Sequence, residues 1–241
     1  ELGRRCLFFP PDPSSTVDST LGGNVAENAG YTRAVKYGVT RDYVRGLEAV
    51  LPSGDVINLG GKTMKNVAGY DLISLLVGSE GTLAIITKII LRLLMRPHAR
   101  RTVMAYLNDL PEAADLIVAV FRSGIVPCAI ELMDNIAINT VADHLGAALS
   151  RDAAALVLIE TDGHGEEEVQ AEALEITNLC RRSPGVTEAR LAADAVGPVG
   201  GHGRTAGDPR RDHTSAARAV SGAGDAEPHR IQRHLSVAGG A

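Results

Sequence analysis

The sequence predicts an α+β chain that consists of two folded parts and an unpatterned tail. Three observations lead to this fold class. The first 97 residues are rich in glycine and contain a strand pair, residues 98–195 alternate strands with helices, and no helical or strand period repeats from Val196 onward. The chain has 241 residues, of which 45% are hydrophobic and 22% are charged, so it can form a buried core. We expect domain boundaries at 1–97, 98–195 and 196–241.

The first part contains signals for a β-hairpin, a helix and a long strand. Aliphatic residues over 44–51 and 55–59 flank a proline-serine-glycine turn, and this pattern predicts the hairpin. Segment 71–77 is apolar on one helical face, and Gly78 follows where a helix would end. Aliphatic residues alternate with Thr, Lys and Arg over 82–94, which predicts one long strand.

The second part repeats strand and helix in turn. This order predicts a ferredoxin-like sandwich, in which one layer of helices packs on an antiparallel sheet. The clearest helix begins with three glutamates, ends with two arginines and is followed by Pro184 and Gly185, all of which favour the helix dipole or the helix end. The predicted strands are 101–107, 126–133, 154–160 and 186–192, and the predicted helices are 111–123, 135–148 and 165–182.

The tail, residues 196–241, contains six arginines, no lysine, four acidic residues and nine of the 26 glycines. Two explanations stay open for it. It is either a natural flexible tail or an out-of-frame translation of GC-rich coding DNA, which yields Arg, Gly, Ala, Pro and His without a pattern. Because few apolar side chains are present to offset the entropy of ordering the backbone, we expect this segment to be disordered. No function is assigned to it.

Composition excludes several classes of protein. A net charge of -5, 3% aromatic residues and the absence of Trp argue against a nucleic-acid surface. No apolar run approaches the about 20 residues that cross a bilayer, so no membrane span is expected. Cys6, Cys128 and Cys180 form no C-x-x-C pair, which suggests neither a disulfide framework nor a metal site. A cytoplasmic, reducing location fits this cysteine usage.

Two glycine-rich segments carry the chemistry. The first segment spans residues 10–30, where prolines flank Asp12 and hold the backbone extended. In it Gly22 and Gly23 remove side chains where a flat or charged ligand could lie against peptide N–H groups. The second segment spans 78–86 and puts a small-residue turn before a strand, where backbone groups and one carboxylate can meet a ribose or purine edge. Each segment alone also fits an ordinary pair of tight turns.

Together the segments carry a family resemblance. The motifs P-D-P-S-S, T-L-G-G-N-V-A-E-N-A-G, the hairpin, K-N-V-A-G-Y-D-L and G-S-E-G-T-L-A-I-I-T occur in one order between Phe9 and Leu94. This stretch resembles the second half of the FAD-binding domain of the vanillyl-alcohol-oxidase type, also called the FAD-linked oxidase or PCMH fold. Within that family it is most similar to the group formed by glycolate oxidase and D-lactate dehydrogenase. The implied fold is the C-terminal half of this domain followed by a partial ferredoxin-like cap.

The resemblance implies FAD as the cofactor and assigns contacts to it. The first segment would run past the flavin ring and the pyrophosphate, and the second would line the ribityl and adenosine part. The implied cofactor contacts are Pro11, Asp12, Pro13, Ser14, Ser15, Thr20, Gly22, Gly23, Asn24, Asn28 and Gly30 in the first segment, and Glu80, Gly81, Thr82, Ala84, Ile85 and Ile86 in the second. No catalytic residue and no metal ligand is assigned.

The chain departs from the pattern of the family at several points. Tyr31 and Ala84 stand where the family usually has glycine. If the first of these glycines takes a positive φ, Tyr31 strains its turn by about 1 kcal/mol. The P-x-G-x-G-T pyrophosphate loop and the H-x-G-D-G-N-x-H metal motif do not occur in the sequence. We interpret the chain as an internal piece of a longer flavoenzyme, and we expect the piece alone to bind FAD weakly or not at all and to show no turnover.

The resemblance implies an FAD-dependent oxidoreductase that oxidises a 2-hydroxy acid such as glycolate or D-lactate, with hydride transfer to flavin N5. The implied partners are this small molecule and a redox partner subunit. Two alternatives stay open, namely a truncated, inactive family member and a free-standing ferredoxin-like binding module. In the strand 129–134, Glu131 or Asp134 could face the flavin cavity, but we expect a solvated strand face for both.

Overall fold

A computed structural model of the chain describes residues 2–11, 18–146 and 148–192. The expectation of disorder for the tail falls on residues outside these ranges. The chain divides into two compact units, Glu1–Arg96 and Pro97–Ala241, which are called unit 1 and unit 2 below.

Unit 1 is built on a three-stranded antiparallel sheet in the order β3-β2-β4, with a second pair formed by β1 and β5. The predicted hairpin is confirmed, since Val50 of β2 pairs with Val56 of β3. Its elements in chain order are a 3₁₀ turn Leu2–Arg5, β1 Leu7–Phe8, α1 Leu21–Glu27, α2 Ala34–Tyr37, a 3₁₀ turn Thr40–Tyr43, β2 Val44–Val50, β3 Val56–Gly60, α3 Leu72–Leu76, β4 Ile85–Leu91 and β5 Leu94–Met95.

The predicted helix over 71–77 is also confirmed, as α3. Asp71 caps its N-terminus, because the carboxylate accepts a hydrogen bond from the Ser74 N–H at 3.0 Å. The two hydrogen bonds from Ser74 lower the pKa of Asp71. The helix ends at Leu76, and Gly78 follows with a φ of 83°, a left-handed conformation that favours glycine.

The prediction of one long strand over 82–94 is wrong, because β4 and β5 belong to different sheets. After β4 the Arg92 N–H donates to the Tyr43 carbonyl at 2.7 Å. Leu94 then pairs with Phe8 of β1. Alternating residues show that a segment is extended, but they do not show which strand it pairs with.

The core of unit 1 lies between the three-stranded sheet and the helices α1 and α3. Its fully buried members are Val25 from α1, Ala49 from β2 and Val77 after α3. Aliphatic residues of β3 and β4 pack against this cluster from the same face. The sheet therefore positions α1 and the segment that follows α3 on one side of unit 1.

Unit 2 is a four-stranded antiparallel sheet in the order β7-β8-β6-β9, crossed by three helices. The predicted alternation of strands and helices is confirmed, with ends that differ by a few residues. The elements in chain order are β6 Ala99–Leu107, α4 Leu110–Arg122, β7 Ala129–Asp134, α5 Asn135–Leu145, β8 Ala155–Gly163, α6 Glu166–Arg182 and β9 Val186–Leu191.

The prediction of a single helical layer is wrong, because helices cover both faces of this sheet. Val103 and Val157 belong to a cluster with α4 and α6. Met104 and Leu156 belong to a second cluster with α5. Since successive side chains of a strand point to opposite faces, strands that are apolar at both odd and even positions need cover on both sides.

Two further findings concern membrane-spanning helices and the cysteine thiols. Within the three described ranges, no helix combines the length and the apolar character that crossing a bilayer requires. Cys6 is an exposed free thiol, and Cys128 and Cys180 are buried free thiols. Burial raises the pKa of Cys180 to about 11, so this thiol stays protonated and unreactive at neutral pH.

Candidate functional site

The two glycine-rich segments of unit 1 lie directly against each other. The Gly78 N–H donates to the Val25 carbonyl at 3.0 Å, and the Glu80 N–H donates to the Ala26 carbonyl at 2.9 Å. Both carbonyls belong to the last turn of α1. The structure therefore joins the two segments into one surface, although the hairpin and α3 separate them in the sequence.

Residues Leu21–Glu27 of the first segment form the helix α1 rather than an open glycine loop. Thr20 is the N-cap of α1, and its Oγ1 accepts a hydrogen bond from the Gly23 N–H at 3.0 Å. The N–H of Gly23 is therefore used within the chain, which corrects the expectation that both glycines present bare N–H groups. A Cβ at Gly22 would have no neighbour nearer than Thr20 Oγ1, at 4.0 Å. Among the residues that the structure describes, none fills the space above Gly22.

The end of α1 is held by Asn28, which adopts a left-handed conformation with φ 53° and ψ 47°. Its Oδ1 accepts a hydrogen bond from the Arg41 N–H at 2.8 Å. The Arg41 guanidinium donates to the Val77 carbonyl at 2.9 Å. A Cβ at Gly78 would lie 3.2 Å from Asn28 Cβ and 3.3 Å from Arg41 Nη2. Asn28, Arg41 and Gly78 thus form the junction between the two segments.

Replacing Asn28 by alanine is expected to lower the free energy of unfolding of unit 1 by about 2 kcal/mol. About 1 kcal/mol is the strain of alanine in a left-handed conformation, and about 1 kcal/mol is the lost hydrogen bond to Arg41. Asn28→Gly is the matched control, because it removes only the bond. Urea unfolding followed by circular dichroism measures both losses, and equal losses would contradict the strain.

The second segment presents a turn in which two consecutive residues are left-handed. Glu80 has a φ of 53° and Gly81 a φ of 74°. The Thr82 hydroxyl donates to the Ser79 carbonyl at 2.6 Å and closes the turn. A Cβ at Gly81 would meet nothing within 4 Å, and the Glu80 side chain is exposed. The turn therefore offers open backbone and one carboxylate to a polar ligand.

Three other residues of the expected cofactor set serve the packing of unit 1. Ala84 is buried in the core and Ile86 packs against it, so only their backbone atoms are available to a ligand. A Cβ at Gly30 would lie 2.6 Å from Val39 Cγ1. These three positions support the backbone of the two glycine-rich segments by packing in unit 1.

The remaining members of the set differ in their surroundings. Ile85 is 68% exposed and Pro11 is buried. Asn24 lies within α1, where its N–H donates to the Thr20 carbonyl at 3.0 Å. The last four expected contacts, Asp12, Pro13, Ser14 and Ser15, lie outside the described residues.

The strain expected at Tyr31 does not arise. Among the described residues, the non-glycine positions with positive φ are Cys6, Asn28 and Glu80. The left-handed residue of this turn is therefore Asn28, three positions before Tyr31. The Tyr31 carbonyl instead accepts a hydrogen bond from the Ala34 N–H at 2.9 Å, at the start of α2.

Sequence reasoning missed two residues that support the site, Thr40 and Arg41. Thr40 is fully buried, and its hydroxyl donates to the Ala29 carbonyl at 2.6 Å. Arg41 links Asn28 of the first segment to Val77, the residue before the second segment. Their signal in the sequence was their place in the Y-G-V-T-R-D part of the hairpin motif, which does not show what they contact.

In unit 2 the expectation of a solvated strand face is wrong for Glu131. Its side chain is partly buried, and burial together with the negative charge of Glu160 raises its pKa to about 7. Asp134 is exposed and caps α5, since its carboxylate accepts a hydrogen bond from the Ala137 N–H at 2.8 Å. In the part of the chain that the structure describes, no three His, Cys, Asp or Glu side chains gather as metal ligands.

Two family models match the chain. The model described as "FAD binding domain" matches residues 1–60. The model described as "FAD linked oxidases, C-terminal domain" matches residues 96–198. The two matches fall on the parts of the sequence that form unit 1 and unit 2.

The chain is also similar to curated proteins. It is 44% identical to "Glycolate oxidase subunit GlcD" of Bacillus subtilis over 75% of this chain and 38% of that protein. It is 35% identical to the protein of the same name from Escherichia coli K12, over 78% of this chain and 37% of that protein. For "D-lactate dehydrogenase" of Anaerostipes hadrus the identity is 36%, over 68% and 36% of the two chains. The chain thus spans less than two fifths of these relatives.

Solved structures give the same result for the fold. An alkyldihydroxyacetonephosphate synthase structure matches with a TM-score of 0.60 and 21% identity, covering 77% of this chain and 36% of that one. A second structure of an enzyme with this name matches with a TM-score of 0.62 and 20% identity, covering 78% and 37% of the two chains. At this level of sequence identity, the two matches show a shared fold alone.

Proposed function

The chain belongs to the family of FAD-linked oxidases, and from this premise we propose that it is part of an enzyme that oxidises a small 2-hydroxy acid, such as glycolate or D-lactate. FAD is the cofactor of the family. The observation that carries the proposal is the junction of the two glycine-rich segments, where Gly78 and Glu80 donate to the last turn of α1. The names of the relatives support the substrate class.

We assign residues 1–97 to the C-terminal half of the FAD-binding domain, residues 98–195 to part of the cap domain and residues 196–241 to a tail. The residues of unit 1 fit a cofactor. The open space above Gly22 and around Gly81 is a place that any side chain would fill, and the exposed Glu80 carboxylate can accept hydrogen bonds from ribose hydroxyls.

Among the expected contacts, two roles can be separated. Thr20, Gly22, Gly23, Glu80, Gly81 and Thr82 would touch the cofactor, together with the segment from Pro11 to Ser15. Asn24, Asn28, Gly30, Ala84, Ile85 and Ile86 would shape the surface or contribute backbone. When bound, a flavin would supply the oxidising group for removal of hydride from the substrate α-carbon, which we propose to pass to N5. The described residues of unit 1 bind and orient it, and none of them is assigned a catalytic role.

Gly22→Val is expected to empty the cofactor site and to leave unit 1 folded. The branched side chain has room beside the described residues, because the nearest of their atoms to a Cβ is 4.0 Å away, but it would fill the space in which the cofactor would lie. We would measure flavin absorbance per mole of purified full-length protein, and circular dichroism as the check of folding. A normal flavin content in this variant would refute the assignment.

Gly61→Val is the matched control for this experiment. A Cβ at Gly61 also meets nothing within 4 Å, but Gly61 lies outside both glycine-rich segments, so this variant should retain its flavin. The full-length protein should reduce an artificial dye with glycolate or D-lactate, and Gly22→Val should not. A wild-type protein that binds FAD but is reduced by neither acid would refute the substrate class.

The proposal extends to partners and location. The relatives from Bacillus subtilis and Escherichia coli are named as subunits, which supports a partner subunit. We propose that this partner takes electrons from the flavin. The free thiols of Cys128 and Cys180 support a reducing, cytoplasmic location. Copurification of tagged full-length protein with a second redox protein would test the partner.

A further inference from the structure

The helix α4 of unit 2 has an apolar stripe on its solvent-exposed side. Its buried residues pack in the cluster that the sheet forms with α4 and α6. Four exposed apolar residues follow one another at intervals of three or four positions, which places them on one side of the helix. They are Leu110, Ala114, Val118 and Phe121, and they are called the α4 stripe below.

The α4 stripe exposes large side chains along nearly the whole helix, Leu110–Arg122. Leu110 is 44% exposed, Val118 is 45% exposed and Phe121 is 41% exposed. Single apolar residues on a protein surface are ordinary, but a continuous apolar row indicates a surface that packs against something. Because the buried side of α4 already packs in unit 2, the stripe indicates a second packing partner.

One acid and one base lie beside the α4 stripe. Asp115 and Arg122 are both exposed, and their spacing of seven positions places them on the same flank of the helix. Neither has an oppositely charged residue three or four positions away in α4, which is the spacing of ion pairs within a helix. In the part of the chain that the structure describes, neither forms an ion pair with another element. Both charges are therefore available to a partner.

The stripe and its flanking charges are arranged symmetrically about Val118. Asp115 precedes Val118 by three positions and Arg122 follows it by four, so the two charges lie about 5 Å to either side along the helix axis. Suppose that two copies of α4 pack antiparallel around a twofold axis at Val118. Asp115 of each copy then lies opposite Arg122 of the other copy. The large side chain of Phe121 lies opposite the small Ala114 in the same way.

We propose that α4 is a contact surface between two copies of this protein, which pack antiparallel through the α4 stripe and form two ion pairs between Asp115 and Arg122 at its edge. In a parallel pair the two acids would lie at the same height along the helices, so the charges favour the antiparallel orientation. One helix face is small for a permanent dimer, and we therefore expect a weak dimer that forms reversibly. This inference does not depend on the cofactor or on the substrate.

The test reverses each charge and then both charges. The dimer dissociation constant of the 241-residue chain is measured by sedimentation equilibrium at micromolar to millimolar concentration. Asp115→Arg and Arg122→Asp each place like charges opposite each other twice in the dimer, so each should raise the dissociation constant about tenfold. The double variant restores both ion pairs in reversed order and should return to within about threefold of the wild type.

The two single variants also control for the overall charge of the chain. With a net charge of -5 in the wild type, Asp115→Arg makes the chain less negative and Arg122→Asp makes it more negative. A general effect of net charge would therefore change association in opposite directions. The proposal instead expects weaker association in both variants. Circular dichroism checks that each variant is folded.

Val118→Asp tests the apolar centre of the same surface. It brings two carboxylates together near the twofold axis, and we expect the dimer to be lost. Leu174→Asp is the matched control, because Leu174 of α6 is 47% exposed and Val118 is 45% exposed, but Leu174 lies outside the α4 stripe. This control should retain the wild-type dissociation constant.

Several results would overturn the proposal. A wild-type chain that stays monomeric at millimolar concentration would do so, as would wild-type association of either single reversal or of Val118→Asp. A double variant that associates as weakly as the single variants would show that Asp115 and Arg122 do not meet across the contact. The same variants in the full-length protein complete the test. If none of them changes its association, another part of the longer enzyme covers α4 and the second copy is excluded.

Discussion

Gly60→Ala is expected to lower the free energy of unfolding of unit 1 by about 4 kcal/mol, at the upper end of what single substitutions do. Gly60 ends β3 with a φ of 65°, and a Cβ there would lie 2.2 Å from the Arg45 carbonyl oxygen and 2.5 Å from Ile73 Cδ1. The Arg45 carbonyl also accepts the Gly61 N–H at 3.0 Å. The backbone therefore cannot give way without loss of a bond between β2 and β3.

Gly54→Ala is the matched control for this loss. Gly54 has a φ of 88°, but a Cβ there would meet nothing within 4 Å. Alanine at this position should lose only the strain of a left-handed conformation, about 1 kcal/mol. Urea unfolding followed by far-ultraviolet circular dichroism compares the two variants. Losses of similar size would show that the close contacts at Gly60 relax without cost.

Glu131 is expected to make unit 2 less stable as the pH rises from about 4.5 to about 7. Its pKa is 4.5 in an unfolded chain and about 7 in the folded one. Below pH 4.5 the group is protonated in both states, so its ionisation has no effect on stability. Between the two values the unfolded state loses its proton first, and the free energy of unfolding falls by about 3 kcal/mol, since one pKa unit is about 1.4 kcal/mol.

Glu131→Gln should remove this dependence, because the amide does not titrate. At pH 8 the variant should be more stable than the wild type by about 3 kcal/mol, whereas at pH 4 the two should differ little. Urea unfolding of unit 2 at a series of pH values measures the difference, and Glu188→Gln should follow the wild type. Parallel curves for Glu131→Gln and the wild type would mean that Glu131 titrates as an exposed carboxyl.

The elements of the fold that the sequence predicts are those with local signals. The hairpin follows from a turn between two aliphatic runs, and α3 follows from the spacing of apolar residues between Asp71 and Gly78. The break after Leu91 and the side on which α5 packs were not predicted. Both depend on which distant strand or helix supplies the partner, and no local pattern contains that information.

The candidate site also has features that the sequence predicts and features that depend on distant partners. Both glycine-rich segments are visible in the sequence, but the difference between Gly22 and Gly23 follows from the Thr20 side chain, which occupies the N–H of only one of them. The burial of Glu131 was not predicted, because alternation along β7 cannot show that its neighbour Glu160 is also buried. Chemistry that depends on a cross-strand neighbour requires the register.

The bonds between α1 and the turn after α3 also bear on when the two glycine-rich segments can come together during folding. The carbonyls of Val25 and Ala26 accept hydrogen bonds from the N–H groups of Gly78 and Glu80. The chain between these bonded residues contains the whole hairpin. Contacts of such large sequence separation form late, since the entropy of loop closure must be overcome first. The surface of the two glycine-rich segments therefore forms only after residues 78–80 have reached α1, and under the proposed function we expect a change that loosens the hairpin to weaken cofactor binding from a distance.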